Sequence, residues 1–195
     1  MIERLFSLLY QSEVSGKVVI KRYSIIKGIK WVPAKLLLPF YPYALSPSER
    51  ASREATFLLS DLPTPKLIAI GKNFIIREYL EGEVLGPKPR EVALAIWEAH
   101  KRGWALGDAK YDNFLVKDGE LYYIDGEQAL RDPFSKLRFA DVVVGGFFLM
   151  LSLGCKGLRE FWEAYPDEEV KAKALKFGIT LLFPCVLELE AQGLH

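Results

Sequence analysis

The stretch GDAKYDNFL, residues 107–115 of the 195-residue chain, gathers two aspartates, a lysine and an asparagine just before an apolar run. A further aspartate, Asp125, follows a second apolar run at residues 120–124. If the two runs pair, Asp108, Asn113 and Asp125 meet at one end of a β-ribbon. Carboxylate and amide oxygens are ligands of hard divalent cations such as Mg²⁺. One carboxylate would remain to receive a proton, so these residues predict metal-dependent chemistry with a general base.

The elements around these residues are marked by turn and helix signals. Asp118-Gly119 separates the two runs and is the strongest short-range signal for a β-hairpin. Upstream, apolar residues at helical spacing predict a helix over 90–102 that stops at Gly103. From residue 135 onward the pattern is helical.

The first half of the chain predicts strands with one helix. Strands are expected at residues 5–10 and 17–22, and a hairpin at 67–70 and 74–79. The capping box Ser46-Pro47-Ser48-Glu49 begins a helix that runs to about Ser60. Residues 31–43 contain three prolines and cannot form one regular element. The aromatic residues of this segment are expected in the core; alternatively they form an exposed patch that binds a lipid-linked acceptor or a partner protein. They are Trp31, Phe40, Tyr41 and Tyr43.

Composition narrows the function classes. The net charge of +1 gives no reason to expect nucleic-acid binding. The apolar runs at 142–153 and 179–187 are shorter than the eighteen or so residues of a bilayer span, so no transmembrane segment is expected. Two cysteines, Cys155 and Cys185, favour a reduced, cytoplasmic protein. The sparse amide side chains, two Asn and three Gln, favour a thermophilic source.

The 107–125 pattern resembles the catalytic loop and metal-binding aspartate of protein kinases. In this resemblance Asp108 orients the acceptor hydroxyl and takes its proton, and Lys110, two residues later, neutralises charge on the γ-phosphate. Asn113 and the aspartate of Ile124-Asp125-Gly126 would bind Mg²⁺. The implied cofactors are ATP and Mg²⁺, and the implied activity is phosphoryl transfer to an alcohol group.

The upstream half carries the matching nucleotide residues. Lys21 of Val18-Val19-Ile20-Lys21 resembles the lysine that contacts the α- and β-phosphates, and Glu54 resembles its glutamate partner. Glu78, Tyr79 and Leu80 lie where kinases have the hinge that binds adenine through its backbone. The resemblance implies a reduced, two-lobed α+β kinase-like fold, with an N-lobe at 1–80 and a helical C-lobe at 81–195.

Two further residues are interpreted within this scheme. Asp141 resembles the buried aspartate that ties a C-lobe helix to the catalytic loop; alternatively it only caps that helix. His100 is interpreted as a packed histidine.

The resemblance is strongest to the small atypical kinases: the RIO type, the kinase subunit of the KEOPS complex and lipopolysaccharide core kinases. Three features depart from typical kinases. Only Gly16 lies between the first two strands, Gly126-Glu127 replaces Phe-Gly, and Asp141 follows Asp125 by only sixteen positions. A serine/threonine protein kinase of RIO or KEOPS type, with a partner protein bound through residues 31–43, is the first interpretation. The alternatives are a kinase for a glycan, lipid-linked or other small-molecule hydroxyl, and a nucleotide-binding scaffold without activity.

Overall fold

The computed structural model describes residues 12–191, and the strand predicted at 5–10 lies outside this range. The first part of the described chain forms a four-stranded antiparallel sheet. Its strands are β1 (Ser12–Ser15), β2 (Val18–Arg22), β3 (Leu67–Gly71) and β4 (Phe74–Glu78). They lie in the order β1-β2-β4-β3, so β2, which carries Lys21, is a central strand. The predicted hairpin is β3 and β4.

Strand β1 was not predicted. All four of its residues are exposed, so the strand has no buried face and no alternation of apolar and polar residues. It pairs with β2 across a two-residue turn at Gly16 and Lys17, and Gly16 has a φ of 61°. This turn stands where the sequence resemblance predicts a phosphate-covering loop.

Three helices connect the strands. They are α1 (Ile25–Gly28), α2 (Trp31–Leu37) and α3 (Pro47–Leu58). Helix α3 begins as predicted, since the Ser46 hydroxyl accepts a hydrogen bond from the Glu49 amide at 3.2 Å. Pro33 falls in the first turn of α2, where a proline does not interrupt the helix, and the rest of segment 31–43 is irregular.

The second part of the chain holds a small hairpin among helices. Its elements are β5 (Glu83–Val84), α4 (Pro89–Lys101), β6 (Trp104–Ala105), β7 (Phe114–Lys117), β8 (Glu120–Tyr123), β9 (Leu130–Arg131), α5 (Arg138–Ala164) and α6 (Glu168–Ala191). Strands β7 and β8 form the predicted hairpin, with Asp118 and Gly119 at φ values of 53° and 81°. Helix α4 matches the predicted helix over 90–102 within a residue.

Helix α5 is the central helix of this part. It packs against α4 and α6, and Val142, Val143 and Leu149 are fully buried. By length and composition α5 is able to cross a membrane, and 44% of its most apolar stretch is buried inside the protein. Gly154, with a φ of 68°, breaks the helix into two segments.

The expectation of reduced cysteines is wrong. Cys155 on α5 and Cys185 on α6 form a disulfide, and their Cα atoms are 5.2 Å apart. The sequence did not reveal the pair because the antiparallel packing of two long helices, rather than any local spacing, brings residues 30 positions apart together.

The architecture confirms the predicted fold class. An antiparallel sheet with its helix precedes a mostly helical part that contains the 114–123 hairpin, as in the reduced kinase-like α+β fold expected from the sequence. The division into lobes at residue 80 stays a prediction.

Candidate functional site

The β7–β8 hairpin brings two of the predicted metal ligands together. Asn113 directly precedes β7, Asp125 follows β8 by one residue, and the Ile124 amide donates to the Asn113 carbonyl at 3.0 Å. The Asn113 side-chain amide donates to the Asp108 carbonyl at 2.7 Å. This bond uses the nitrogen of the carboxamide and leaves its oxygen available to a cation. Asp108, Asn113 and Asp125 therefore meet at one end of the hairpin.

Asp108 lies on a buried loop with one cation beside it. Its side chain is 7% exposed, and Lys110 Nζ lies 3.3 Å from Asp108 Oδ2. Burial raises the pKa of the Asp108 carboxyl, while the charge of Lys110 opposes this rise and that of Asp125 adds to it. A carboxylate with a raised pKa in a dry site is suited to accept a proton.

Asp141 holds this loop in place. Its two carboxylate oxygens accept hydrogen bonds from the Leu106 and Gly107 amides, both at 2.6 Å. His100 Nε2 lies 2.9 Å from the same carboxylate, and His100 Nδ1 lies 2.6 Å from the Tyr165 hydroxyl. Asp141 thus ties α5 to the loop that carries Asp108, and His100 is a packed residue of this network.

The sheet contributes a cation. Lys21 Nζ lies 2.5 Å from Glu54 Oε2 on α3 and 2.8 Å from Asp125 Oδ1. Tyr23 OH donates to the same Glu54 oxygen at 2.5 Å. Burial alone would lower the pKa of Lys21, but Asp125 and Glu54 raise it overall, so the ammonium form is strongly favoured. Although burial acts in the other direction, Lys21 lowers the pKa of Asp125. Lys21, Glu54 and Asp125, which the sequence predicts to bind nucleotide and metal, therefore lie in contact with one another.

Glu127 is the residue of this site that the sequence did not reveal. Its side chain is fully buried and lies 2.6 Å from Arg50 Nη2 and 2.7 Å from Lys30 Nζ, and it accepts a hydrogen bond from the Trp31 indole. The Glu127 amide donates to Asp125 Oδ1 at 3.2 Å. Glu127 occupies the position where kinases have the glycine after the phenylalanine. Here it links the segment that carries Asp125 to α3 and to the start of α2.

The predicted hinge is partly occupied by the sheet. The Glu78 amide donates to the Lys66 carbonyl and the Tyr79 amide to the Lys17 carbonyl, both at 2.9 Å. These two amides are therefore not available to adenine in this conformation. Leu80 lines a cavity of about 190 Å³ between the sheet and the β7–β8 hairpin. The apolar side chains of this cavity come from both sides: Val14, Val19, Tyr79, Leu80, Leu115 and Ile124.

The 190 Å³ cavity adjoins the charged groups. Val19 lies two residues before Lys21 on the same face of β2, and Ile124 directly precedes Asp125. A flat aromatic base in the cavity would place the attached phosphates toward Lys21, Asn113 and Asp125.

A second cavity, of about 330 Å³, lies beside Asp108. Asp108 and Lys110 are among its lining residues, and its walls come from α2 and α5. The loop that carries Asp108 therefore faces a partly open space that is separate from the 190 Å³ cavity.

Comparison with known proteins finds only distant similarity. The sequence matches no protein-family model and no curated protein. Among solved structures, the chain is similar to ADP-bound aminoglycoside phosphotransferase APH(2'')-Ib, with 10% identity, a TM-score of 0.40, and 96% of this chain and 88% of that one covered. It is also similar to the gentamicin complex of APH(2'')-IIa, with 11% identity, a TM-score of 0.43, and coverage of 87% and 78%.

A third similar structure is the erythromycin complex of Rv3197 from Mycobacterium tuberculosis, with 16% identity and a TM-score of 0.39. The alignment covers 63% of this chain and 43% of Rv3197. None of these similarities assigns the chain to a family, so its activity has to be inferred from its own side chains.

Proposed function

We propose that the chain transfers the γ-phosphoryl group of ATP to a hydroxyl group of a small molecule in the presence of Mg²⁺. The observation that carries this proposal is the convergence of Lys21, Asn113 and Asp125 beside the buried Asp108. A lysine fixed between two carboxylates, next to two oxygen ligands and a base, serves phosphoryl transfer by positioning and charge neutralisation.

Each side chain has a role in this reaction. Lys21, held by Glu54, would bind the α- and β-phosphates of ATP. Asp108 would accept the proton of the acceptor hydroxyl as its oxygen bonds to the γ-phosphorus and the bond to the leaving ADP oxygen breaks. Lys110, whose Nζ lies 3.3 Å from the Asp108 carboxylate, would offset negative charge on the transferred group.

The donor set fits Mg²⁺. The described residues contain no cluster of three or more His, Cys, Asp or Glu side chains able to hold a metal by themselves. Asn113 and Asp125 would therefore supply two oxygens, and phosphate and water oxygens the rest, as is usual for this ion. When bound, Mg²⁺ would neutralise negative charge on the phosphates of ATP.

The cavity beside Asp108 favours a small-molecule acceptor over a protein. A partly open space of about 330 Å³ suits a small ligand, and Asp141 follows Asp125 by only sixteen positions, which leaves little room for a peptide-docking segment. We therefore rank the small-molecule alternative above a RIO- or KEOPS-type protein kinase. A polycationic aminoglycoside is a poor fit, because the residues that line the cavity include two lysines and one carboxylate.

A nucleotide-binding scaffold is the second candidate, and the short turn at Gly16 and Lys17 favours it. Two residues cannot cover the phosphates as a glycine-rich loop does, so bound ATP would be more open to water. The intact set of Asp108, Asn113 and Asp125 favours catalysis.

The test is Mg²⁺-dependent ATP turnover by the wild type and by Asp125→Asn. We expect the variant to lose roughly 100-fold or more in ADP release, because it removes a charged ligand from the transition state. Binding of a fluorescent ATP analogue is measured in parallel, with and without Mg²⁺.

Asp118→Asn is the matched control, since Asp118 lies in the turn at the opposite end of the same hairpin and asparagine tolerates its φ of 53°. Equal ADP release by the wild type and Asp125→Asn would show that Asp125 is not the proposed Mg²⁺ ligand. Nucleotide binding without any turnover by the wild type would support the scaffold instead.

A further inference from the structure

The cavity beside Asp108 is polar at one end and apolar elsewhere. Ala34 and Leu38 form one wall, and Phe147 and Phe148 on α5 form another. The polar groups that line it are the side chains of Lys30, Tyr43, Asp108 and Lys110. A ligand that fills this space needs a small polar head and an apolar body.

The Tyr43 hydroxyl is a buried polar group that a ligand in this cavity could bind. Its side chain is 4% exposed, and its hydroxyl has no hydrogen-bond partner among the described residues. Burial raises the pKa of Tyr43, as do the charges of Asp141 and Asp108, so the group stays protonated and able to donate. A buried hydroxyl without a partner is unfavourable, and a ligand hydroxyl held between Tyr43 and Asp108 would satisfy it.

The cavity volume limits the size of the part of a ligand that lies inside it. At about 30 Å³ for each heavy atom, 330 Å³ holds on the order of eleven atoms. This is the size of one hydroxyl group with a chain of about ten carbons.

The segment that roofs this cavity has a second, exposed apolar face. Between residues 25 and 40, seven large apolar side chains are 40% or more exposed. They are Ile25, Ile26, Ile29, Val32, Leu36, Leu37 and Phe40. An apolar surface this concentrated is unusual outside a contact site.

The charge of the same segment indicates what covers it. Residues 25–40 contain three lysines and no acidic residue, although the whole chain has a net charge of only +1. Exposed apolar side chains beside basic ones are typical of segments that lie in the surface of an anionic bilayer.

The cavity and the exposed face are continuous. Pro33 and Leu37 line the cavity and are themselves exposed, so α2 contributes to both surfaces. A chain anchored in a bilayer under α2 would reach Asp108 without passing through water.

We propose that the phosphoryl acceptor is a membrane-borne alcohol, whose hydroxyl lies against Asp108 and Tyr43 while its apolar chain leads out past α2 into an anionic bilayer. This rests on the proposed function. The alcohol oxygen bonds to the γ-phosphorus of ATP, the bond to the ADP oxygen breaks, and Asp108 takes the hydroxyl proton. The products are the alkyl phosphate and ADP.

The first experiment measures phosphoryl transfer from labelled ATP to primary alcohols of increasing length, from butan-1-ol to decan-1-ol. Each added CH₂ is expected to raise kcat/KM roughly fourfold until the cavity is filled. Glycerol, which is polar throughout, is expected to be at least 100-fold poorer than decan-1-ol. In Tyr43→Phe, the KM for decan-1-ol should rise about tenfold, and melting temperature should not fall.

The second experiment measures sedimentation of the full chain with vesicles of phosphatidylcholine alone or with 30% phosphatidylglycerol. We expect at least tenfold stronger association with the anionic vesicles, and loss of this association in the double variant Ile26→Ser and Leu36→Ser. The matched control is Ile68→Ser with Ile70→Ser, which changes two equally apolar, exposed residues on β3 and should bind like the wild type.

The outcomes separate this proposal from the proposed function. If ATP turnover is Mg²⁺-dependent and lost in Asp125→Asn, but alcohol length has no effect, the acceptor class is wrong while the kinase stands. The proposal that the exposed face of residues 25–40 binds an anionic bilayer is wrong if the chain associates equally with neutral and anionic vesicles. It is also wrong if both double variants lose vesicle association equally. Absence of ATP turnover in the wild type, with any acceptor, overturns the proposed function itself.

Discussion

Asp108 is the base of the proposed reaction, and its surroundings favour opposite protonation states. Its carboxylate is buried on the catalytic loop, and Lys110 is the cation nearest to it among the described ion pairs. Burial favours the protonated acid and Lys110 favours the carboxylate. If Asp108 is the general base, as proposed, the balance between these two effects sets the pH at which the reaction begins, and this pH can be measured.

We predict that activity falls on the acid side at a higher pH than for an ordinary aspartate. The pKa of Asp108 is raised, so the carboxylate is present above this raised value and is protonated as the pH falls through it. In a plot of kcat/KM against pH, the acid limb should lie above the usual aspartate pKa of about 3.9. In Lys110→Met the limb should move to still higher pH, because the cation that opposes the rise is gone.

Lys117→Met is the control for this shift, since Lys117 lies at the far end of β7. Its acid limb should coincide with that of the wild type. A limb near pH 3.9, unchanged by Lys110→Met, would mean that Asp108 is not the group observed.

The sequence singles out Lys21, Glu54 and Asp125 as candidate site residues, but it does not single out Glu127. Lys21, Glu54 and Asp125 stand in motifs whose chemistry is readable from neighbours in the chain, and the structure brings all three into contact. Glu127 is buried through partners 77 and 96 positions away, Arg50 and Trp31. Nothing in its local sequence distinguishes it from an exposed glutamate.

Helix α5 serves both the core and the site. Its first turn holds Asp141, whose carboxylate accepts from two amides of the catalytic loop, and the rest of the helix packs against α4 and α6. The position of Asp108 therefore depends on a helix that belongs to the core.

We predict that Asp141→Asn lowers both stability and activity. Asparagine presents an NH₂ group to one of the two amides at Leu106 and Gly107, so one buried donor faces another donor. The expected loss is roughly 1–3 kcal/mol in the free energy of unfolding. A displaced loop should also lower kcat about tenfold or more. Urea unfolding and steady-state ATP turnover measure the two effects.

Asp167→Asn is the matched comparison. The Asp167 carboxylate accepts from the Val170 amide at 3.0 Å at the start of α6, and asparagine caps a helix as well as aspartate does. This variant should change neither quantity appreciably. If Asp141→Asn changes the free energy of unfolding and ATP turnover no more than Asp167→Asn does, the hydrogen bonds from Asp141 to the loop do not support stability or activity.

Elements with strong local signals were predictable and those without were not. The β7–β8 hairpin follows from Asp118-Gly119, which accept the positive φ values of the turn, and α3 follows from its Ser46 cap. Strand β1 has no buried face to create a pattern. Helix α1 is a single turn of four residues capped by Ser24, and α2 contains Pro33 and packs against the cavity.

Across the whole molecule, one buried carboxylate joins the parts that form the site. Glu127, next to the metal loop, contacts Arg50 on α3 and Lys30 and Trp31 at the start of α2. One side chain thus links α3, the start of α2 and the segment that follows the β7–β8 hairpin. Because the members of this link are far apart in sequence, it forms only when the fold is complete.

We predict that Glu127→Gln destabilises the fold by roughly 3–5 kcal/mol at pH 7, because Arg50 is left fully buried without its charged partner. The control is Glu169→Gln, whose ion pair with Lys173 is exposed and should contribute less than about 0.5 kcal/mol. Urea unfolding at pH 7 measures both losses. A loss in Glu127→Gln no larger than in Glu169→Gln would show that the link does not hold the parts together.

The same variant has a predicted dependence on pH. Burial would raise the pKa of Glu127, but the charges of Lys21, Lys30 and Arg50 lower it overall. Its contribution is therefore complete above the ordinary glutamate pKa of about 4.3 and is lost as the pH falls through the lower value of the folded state. The difference between wild type and Glu127→Gln should be constant from pH 7 to about pH 5.5 and smaller at pH 3.5. A difference that grows toward acid would mean that Glu127 is protonated in the folded protein, and the network would then be a set of neutral hydrogen bonds.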